Sequence, residues 1–221
     1  MSYNIAIDGP AGAGKSTIAK KIAKELSYIY VDTGAMYRAM ALFFIRQGIG
    51  PEETERINQE CENANITIEY KDGEQQVLLN GENVNGLIRT EEVGNMASAT
   101  SVNVNVRTKM VQLQQQLAKT ADVIMDGRDI GTKVLPNATL KIYLTASSRT
   151  RATRRYNEMV AKNVECDLDT IEKDIIDRDY RDMHREHSPL MQAEDAILVD
   201  SSDMTIQEVV DEIIALFRER M

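Results

Sequence analysis

The eight residues Gly9-Pro10-Ala11-Gly12-Ala13-Gly14-Lys15-Ser16 constrain this chain more than any others. They fit G-x-x-x-x-G-K-[ST], follow the apolar run Ile5-Ala6-Ile7, and precede Ser16–Leu26, which carries Ile18, Ile22, Ala23 and Leu26 on a helical period. Strand, glycine-rich turn and helix is the order such a loop requires if its backbone N–H groups are to face a polyphosphate at a helix N-terminus. The pattern predicts that residues from Gly9 to Thr17 wrap the phosphates of a nucleotide and that Lys15 reaches the β- and γ-phosphates. The Ser16 hydroxyl stands where it can bind Mg²⁺. The loop alone suits a transferase, a GTP switch or an ATP-driven machine, so the acceptor has to be read from other residues.

The rest of the chain alternates. Tyr28–Val31 has strand character and Ala35–Arg46 is helical, so the chain starts βαβα and predicts a parallel sheet. Ile66–Tyr70 and Gln75–Leu79, separated by Lys71-Asp72-Gly73-Glu74 and followed by Asn80-Gly81, read as a β-hairpin inserted beside that sheet. Helical texture resumes over Thr90–Ala118. Val123–Met125, Leu140–Leu144 and Ala196–Val199 are further strands, and Ile206–Phe217 is an amphipathic helix. The expected fold is therefore α/β: a three-layer P-loop unit with about five parallel strands and a small antiparallel insert.

At 221 residues the chain can bury one substantial core. Its 43% hydrophobic and 28% charged residues are ordinary for a folded soluble protein, and a net charge of −9 argues against a broad basic surface for duplex nucleic acid. The apolar run Ala39–Ile45 is far shorter than a membrane span, and Met1-Ser2-Tyr3-Asn4 leads directly into a strand rather than an export signal. Cys61 and Cys166 are isolated and read as reduced structural thiols. These features predict a cytoplasmic protein without nucleic-acid or membrane partners; a monomer is the expected state, though none of these features derives it.

Ligands of open α/β sheets gather at the carboxyl ends of strands. Polar clusters fall there: Asp32 to Arg38 after the second strand, and Asp126-Gly127-Arg128-Asp129 after the third. Asp126 follows its strand as a Mg²⁺-side acid would, although a structural turn aspartate reads the same way. Arg178, Arg181, Asp182 and Arg185 are spaced to share one helical face. Pairing with Asp174, Asp177 and Glu186 would neutralise them in an average protein, but the phosphate loop already implies an anionic ligand, and guanidinium groups suit phosphates. Arg151, Arg154 and Arg155 are expected to form a flap over ATP that excludes water. His184 and His187 read as polar helix-end residues. A GTP switch would need N-K-x-D and D-x-x-G, and the chain has neither.

With these segments in order, the chain resembles the bacterial cytidylate kinase family over essentially its whole length. DTGAMYR (Asp32–Arg38), DGRDIGT (Asp126–Thr132) and RDYRDMHR (Arg178–Arg185) are similar to that family's own segments in their own spacing. The resemblance implies a core at 1–35, 90–148 and 189–221, a monophosphate-binding insert at about 36–89, and a short metal-free helical lid at about 149–188. It implies ATP and Mg²⁺ as cofactors and CMP or dCMP as acceptor, with another monophosphate such as UMP as the alternative. Thr33, Arg38, Arg128 and Arg185 would hold the acceptor phosphate, with Thr33 standing where some relatives have serine. Arg178 and Asp182 would address the sugar. Ser98, Arg107 and Asp129 would read the base, and Tyr37 would line its pocket. Lys15, Arg128, Arg185, Arg151 and Arg155 would serve transfer, Arg154 the nucleotide, and Ser16 with Asp126 the metal.

Overall fold

The first apolar run forms β1, Asn4–Asp8, in a computed structural model that describes residues 2–71 and 74–221. After the phosphate loop come α1 (Lys15–Leu26), β2 (Ile29–Asp32), α2 (Thr33–Arg46) and α3 (Thr54–Glu60). Next are β3 (Ile66–Lys71), β4 (Glu74–Leu79), β5 (Glu82–Asn83), α4 (Glu91–Thr100) and α5 (Val104–Thr120). β6 (Val123–Gly127), a turn of π-helix at Ile130–Val134, β7 (Leu140–Thr145), α6 (Ser148–Ala161), α7 (Leu168–His184), β8 (Ile197–Asp200) and α8 (Ile206–Arg218) complete the order. No helix among the described residues is long and apolar enough to cross a membrane.

The chain divides into two compact units, one of Met1–Tyr30 with Thr120–Met221, the other Val31–Lys119. Among the described residues the main sheet has five strands in the order β2-β6-β1-β7-β8, with β1 parallel to both β6 and β7, and β7 parallel to β8. Ile5, Ala6 and Ile7 are fully buried, as expected where helices cover both faces of a parallel sheet and strands become continuous apolar runs. The side chains of Ile5 and Ile7 join Ile22 of α1, Ile142 and Leu144 of β7, and Ile213 and Phe217 of α8 in one core. The Phe217 ring meets Tyr28 edge-on at 5.8 Å. Thr205 and Glu208 form a capping box that starts α8, satisfying two donors the first turn would otherwise leave bare.

In the second unit, β3 and β4 pair antiparallel with Ile68 opposite Val77. The expected Asp72-Gly73 turn between them lies outside the described residues. Asn80 and Gly81 both take positive φ, 51° and 85°, and turn the chain into a third strand, β5, too short and polar to register as a strand in the sequence. The long helical stretch is two helices. Thr90 caps α4, and the Asn103 side chain accepts from Asn105 N at 3.0 Å and Val106 N at 3.2 Å, starting α5 afresh. α4 packs against α2, and residues 90–119 lie in the same compact unit as the hairpin.

Candidate active site

In the first unit, β1 delivers the chain into the phosphate loop. Gly9 has φ of +147°, and a Cβ there would stand 1.9 Å from the Leu144 carbonyl oxygen on β7, so the loop can lie this close to the sheet only as glycine. Gly14, at φ of 88°, is the N-cap of α1 and has no side chain to occupy the helix's first N–H groups. Lys15 turns back across the loop, its Nζ donating to the Pro10 carbonyl at 2.7 Å. Burial, and next the charge of Arg128, lower its pKa to about 7 against the pull of Asp126, Asp8 and Asp182.

Beside the loop opens a cavity of about 510 Å³, within the range of nucleotide-sized sites. Its walls are the loop from Gly12 to Ile18, Arg154 and Glu158 from α6, and Ser201, Met204, Thr205, Ile206 and Val209 from the end of β8 into α8. Sequence reasoning misses this last wall because it has no motif, though its place after a strand's carboxyl end is a usable signal.

Asp126 sits at the end of β6, opposite Ile7 in the register. Its Oδ2 accepts from Ser16 Oγ at 2.9 Å, and its Oδ1 from the Tyr30 hydroxyl at 2.8 Å. Ser16 and Asp126, 110 residues apart, are thus brought together, and a hydroxyl beside a carboxylate is a hard-oxygen set that fits Mg²⁺. Tyr30, which the sequence marks only as a strand residue, joins them.

Arg128 Nε donates to Asp182 Oδ2 at 2.9 Å. Burial pushes the Asp182 carboxyl up, but Arg128, Arg178 and Arg185 outweigh it and hold the group below its ordinary range. Arg185 Nη2 lies 4.0 Å from Asp129 Oδ1, and its Nε donates to the Ser188 carbonyl at 2.5 Å. α7 ends at His184 with Arg185 as its C-cap, at φ −65° and ψ 143°, so the chain turns away from the helix just after the last member of the stripe. The carboxylate of the stripe, Asp182, takes Arg128 from the end of β6.

Asp8, the last residue of β1, carries no role in the sequence motifs. Its two carboxylate oxygens accept from Ile130 N at 2.8 Å and Gly131 N at 2.7 Å, which ties the backbone following Asp129 to the root of the phosphate loop. Burial raises its pKa to about 6, partly offset by those two N–H groups.

The three lid arginines separate. Arg151 is buried, its Nε on the Ala146 carbonyl, its Nη1 on the Ala11 carbonyl, both at 2.9 Å, and its Nη2 2.7 Å from Asp179. Arg154 reaches the Ser201 carbonyl at 2.6 Å and walls the cavity. Arg155 pairs with Glu158 at 3.4 Å, and both side chains are more than half exposed.

In the second unit, Asp32 caps α2, accepting from Ala35 N at 2.9 Å, with buried Thr33 as the first helical residue. Arg38 Nη2 approaches Asp32 Oδ2 at 3.4 Å, and Arg89, which no sequence pattern marks, approaches it at 2.6 Å. The Arg107 guanidinium lies 5.7 Å over the Tyr37 ring and donates to the Ser101 carbonyl at 2.9 Å, so these two expected base contacts do meet. Ser98 lies half-buried on α4, its carbonyl accepting from Ser101 Oγ at 2.9 Å.

The sequence profile of the cytidylate kinase family matches residues 5–219. Curated relatives include the cytidylate kinase of Ligilactobacillus salivarius, 47% identical over 216 residues and covering 98% of this chain and 96% of the relative. The cytidylate kinase of Caldicellulosiruptor saccharolyticus is 51% identical over 214 residues, covering 97% and 95%. Among solved structures, a shikimate kinase from Acinetobacter baumannii in complex with shikimate has a TM-score of 0.50 at 15% identity, covering 99% of this chain and 94% of its own. A gluconokinase from Sinorhizobium meliloti has a TM-score of 0.50 at 13% identity, covering 98% and 92%. At such identities these two share the P-loop kinase fold and nothing finer.

Proposed function

The chain belongs to the cytidylate kinase family, and from that premise we propose that it transfers the γ-phosphoryl group of ATP to CMP and dCMP, releasing CDP and dCDP. The observation that carries the reading is the phosphate loop with Lys15 folded across it, beside a nucleotide-sized cavity, in a chain with this family membership.

The residues of the two units are assigned separately. In the first, the loop's N–H groups and Lys15 hold the donor phosphates, and an arriving polyphosphate supplies negative charge that favours the ammonium form of Lys15. Ser16 and Asp126 would hold Mg²⁺, which when bound supplies neutralising charge at the terminal phosphates. Arg154 contacts the donor nucleotide. Arg128 and Arg185 bind the acceptor phosphate and spread the charge that develops on transfer. Arg178 and Asp182 address the sugar. Asp129 accepts from the cytosine amino group, a donor that uracil lacks. In the second unit, Thr33 and Arg38 contact the acceptor phosphate, and Tyr37, Ser98 and Arg107 the base. The acceptor phosphate is already an anionic nucleophile, so alignment and neutralisation suffice and no general base is assigned. Arg151 serves transfer by holding the loop's backbone, and Arg155, exposed on α6, by closing with the lid. We read the protein as a cytoplasmic monomer.

The test is purified protein with Mg-ATP, offered CMP, dCMP, UMP, AMP, GMP and shikimate in parallel while ADP release is followed. Preference for CMP and dCMP is expected; turnover of AMP or shikimate with none of CMP would overturn the acceptor assignment.

A further inference from the structure

Asp32 ends β2 and begins α2, and both of its main-chain groups are held by one side chain from the hairpin. Gln75 of β4 accepts from Asp32 N through Oε1 at 2.7 Å and donates from Nε2 to the Asp32 carbonyl at 3.3 Å. The pairing is complementary, donor to acceptor on both arms, and imitates one rung of a β-ladder with a side-chain amide. Gln75 is itself anchored. Its carbonyl accepts from Asn85 Nδ2 at 2.7 Å, and Asn85 Oδ1 accepts from Val77 N at 2.9 Å, so that strand segment of β4 is braced from its other edge.

What Gln75 fixes is the backbone from which α2 departs, with Asp32 at φ −76° and ψ 91°. The Asp32 carboxylate then does three things at once: it caps α2 through Ala35 N, takes Arg89 at 2.6 Å, and faces Arg38 at 3.4 Å. A rotation of the Asp32 peptide planes would move the carboxylate, and with it the position of Arg38. We infer that Gln75 is a positioning residue for the acceptor phosphate, acting through Asp32 on Arg38, so that the hairpin's seating on the end of β2 tunes how well the monophosphate is held. The inference rests on the reading of Arg38 as a phosphate ligand.

Binding rather than turnover tests it. Isothermal titration of CMP, and separately of ATP, into wild type, Gln75→Met, Gln75→Ala, Arg38→Ala and the Gln75→Met/Arg38→Ala double variant forms a cycle. Met keeps the side chain's length and removes both hydrogen bonds, so a fault of packing in the alanine variant is distinguishable from loss of the pairing. The expected result is CMP binding about tenfold weaker in both single Gln75 variants, the size of a coupling between contacting residues. ATP binding should stay within about twofold, and Gln75→Met should add less than about twofold once Arg38 is alanine. Equal weakening in the Arg38→Ala background, equal weakening of ATP, or unchanged CMP binding with Gln75→Met would overturn the inference while leaving Arg38 as a ligand. Unchanged CMP binding in Arg38→Ala would overturn both.

Discussion

Arg151 Nη1 donates to the Ala11 carbonyl at 2.9 Å, so a side chain 140 residues downstream holds the crest of the phosphate loop. Its other nitrogens are committed too, to Ala146 and to the buried carboxylate of Asp179. Removing the guanidinium strands that carboxylate in a dry setting, which typically costs about 3–5 kcal/mol. Arg151→Ala is therefore expected to lose stability first, with a melting temperature lower by roughly 6–20 °C in calorimetry, and the Michaelis constant for ATP should rise more than that for CMP. An unchanged melting temperature would contradict the brace.

Lys15→Met should lower kcat by about 10³-fold or more, since a preorganised charge at the transferring phosphoryl group is lost. The same variant has a pH signature without nucleotide. Lys15 titrates at about 7 in the folded protein against an ordinary lysine value of 10.5, so between those values the unfolded chain binds more protons and stability rises with pH. Below pH 7 the cost of the buried ammonium is present in full. Unfolding titrations should show Lys15→Met gaining over wild type most below pH 7, with the gain shrinking as pH climbs toward 10.5. A gain that grows with pH would refute the assignment.

Gly9→Ala places a methyl where 1.9 Å separates it from the Leu144 carbonyl oxygen, at a φ of +147°. Strain and overpacking together should cost about 2–4 kcal/mol and displace the loop. Denaturant titration should show the loss, and ATP binding should weaken with it; a stable variant with intact ATP affinity would mean that the loop tolerates a shift from β7.

Asp129→Ala is expected to narrow the preference for CMP over UMP by about tenfold or more, measured as a ratio of kcat/KM values, while ATP affinity changes little. An equal loss with both pyrimidines would assign Asp129 to orienting Arg185, which lies 4.0 Å away, and not to the base.

The phosphate loop is legible in the sequence because its chemistry is local: glycine spacing sets the turn, and Lys15 and Ser16 follow at the helix start. The strands are legible because burial on both faces leaves continuous apolar runs such as Ile5–Ile7. β5 is not, having two polar residues and no pattern, and the helical spacing of Arg185 in the sequence does not mark that α7 ends one residue before it.

The partnerships that shape the site lie beyond sequence periodicity. Ser16 with Asp126, Tyr30 with Asp126, Asp8 with Ile130 and Gly131, and Arg151 with Ala11 all join residues 96 to 140 positions apart. Residue order encodes which side chains are available and the period at which they recur. The sheet order β2-β6-β1-β7-β8 sets β1 between two strands that lie far along the chain, Asn4 opposite Val123 and Ile5 opposite Leu140, and that arrangement chose which donor meets which acceptor. A hydrogen bond is made at about 3 Å whatever the chain length between its ends, so the family's chemistry was written in local motifs and the supports around it were settled by packing.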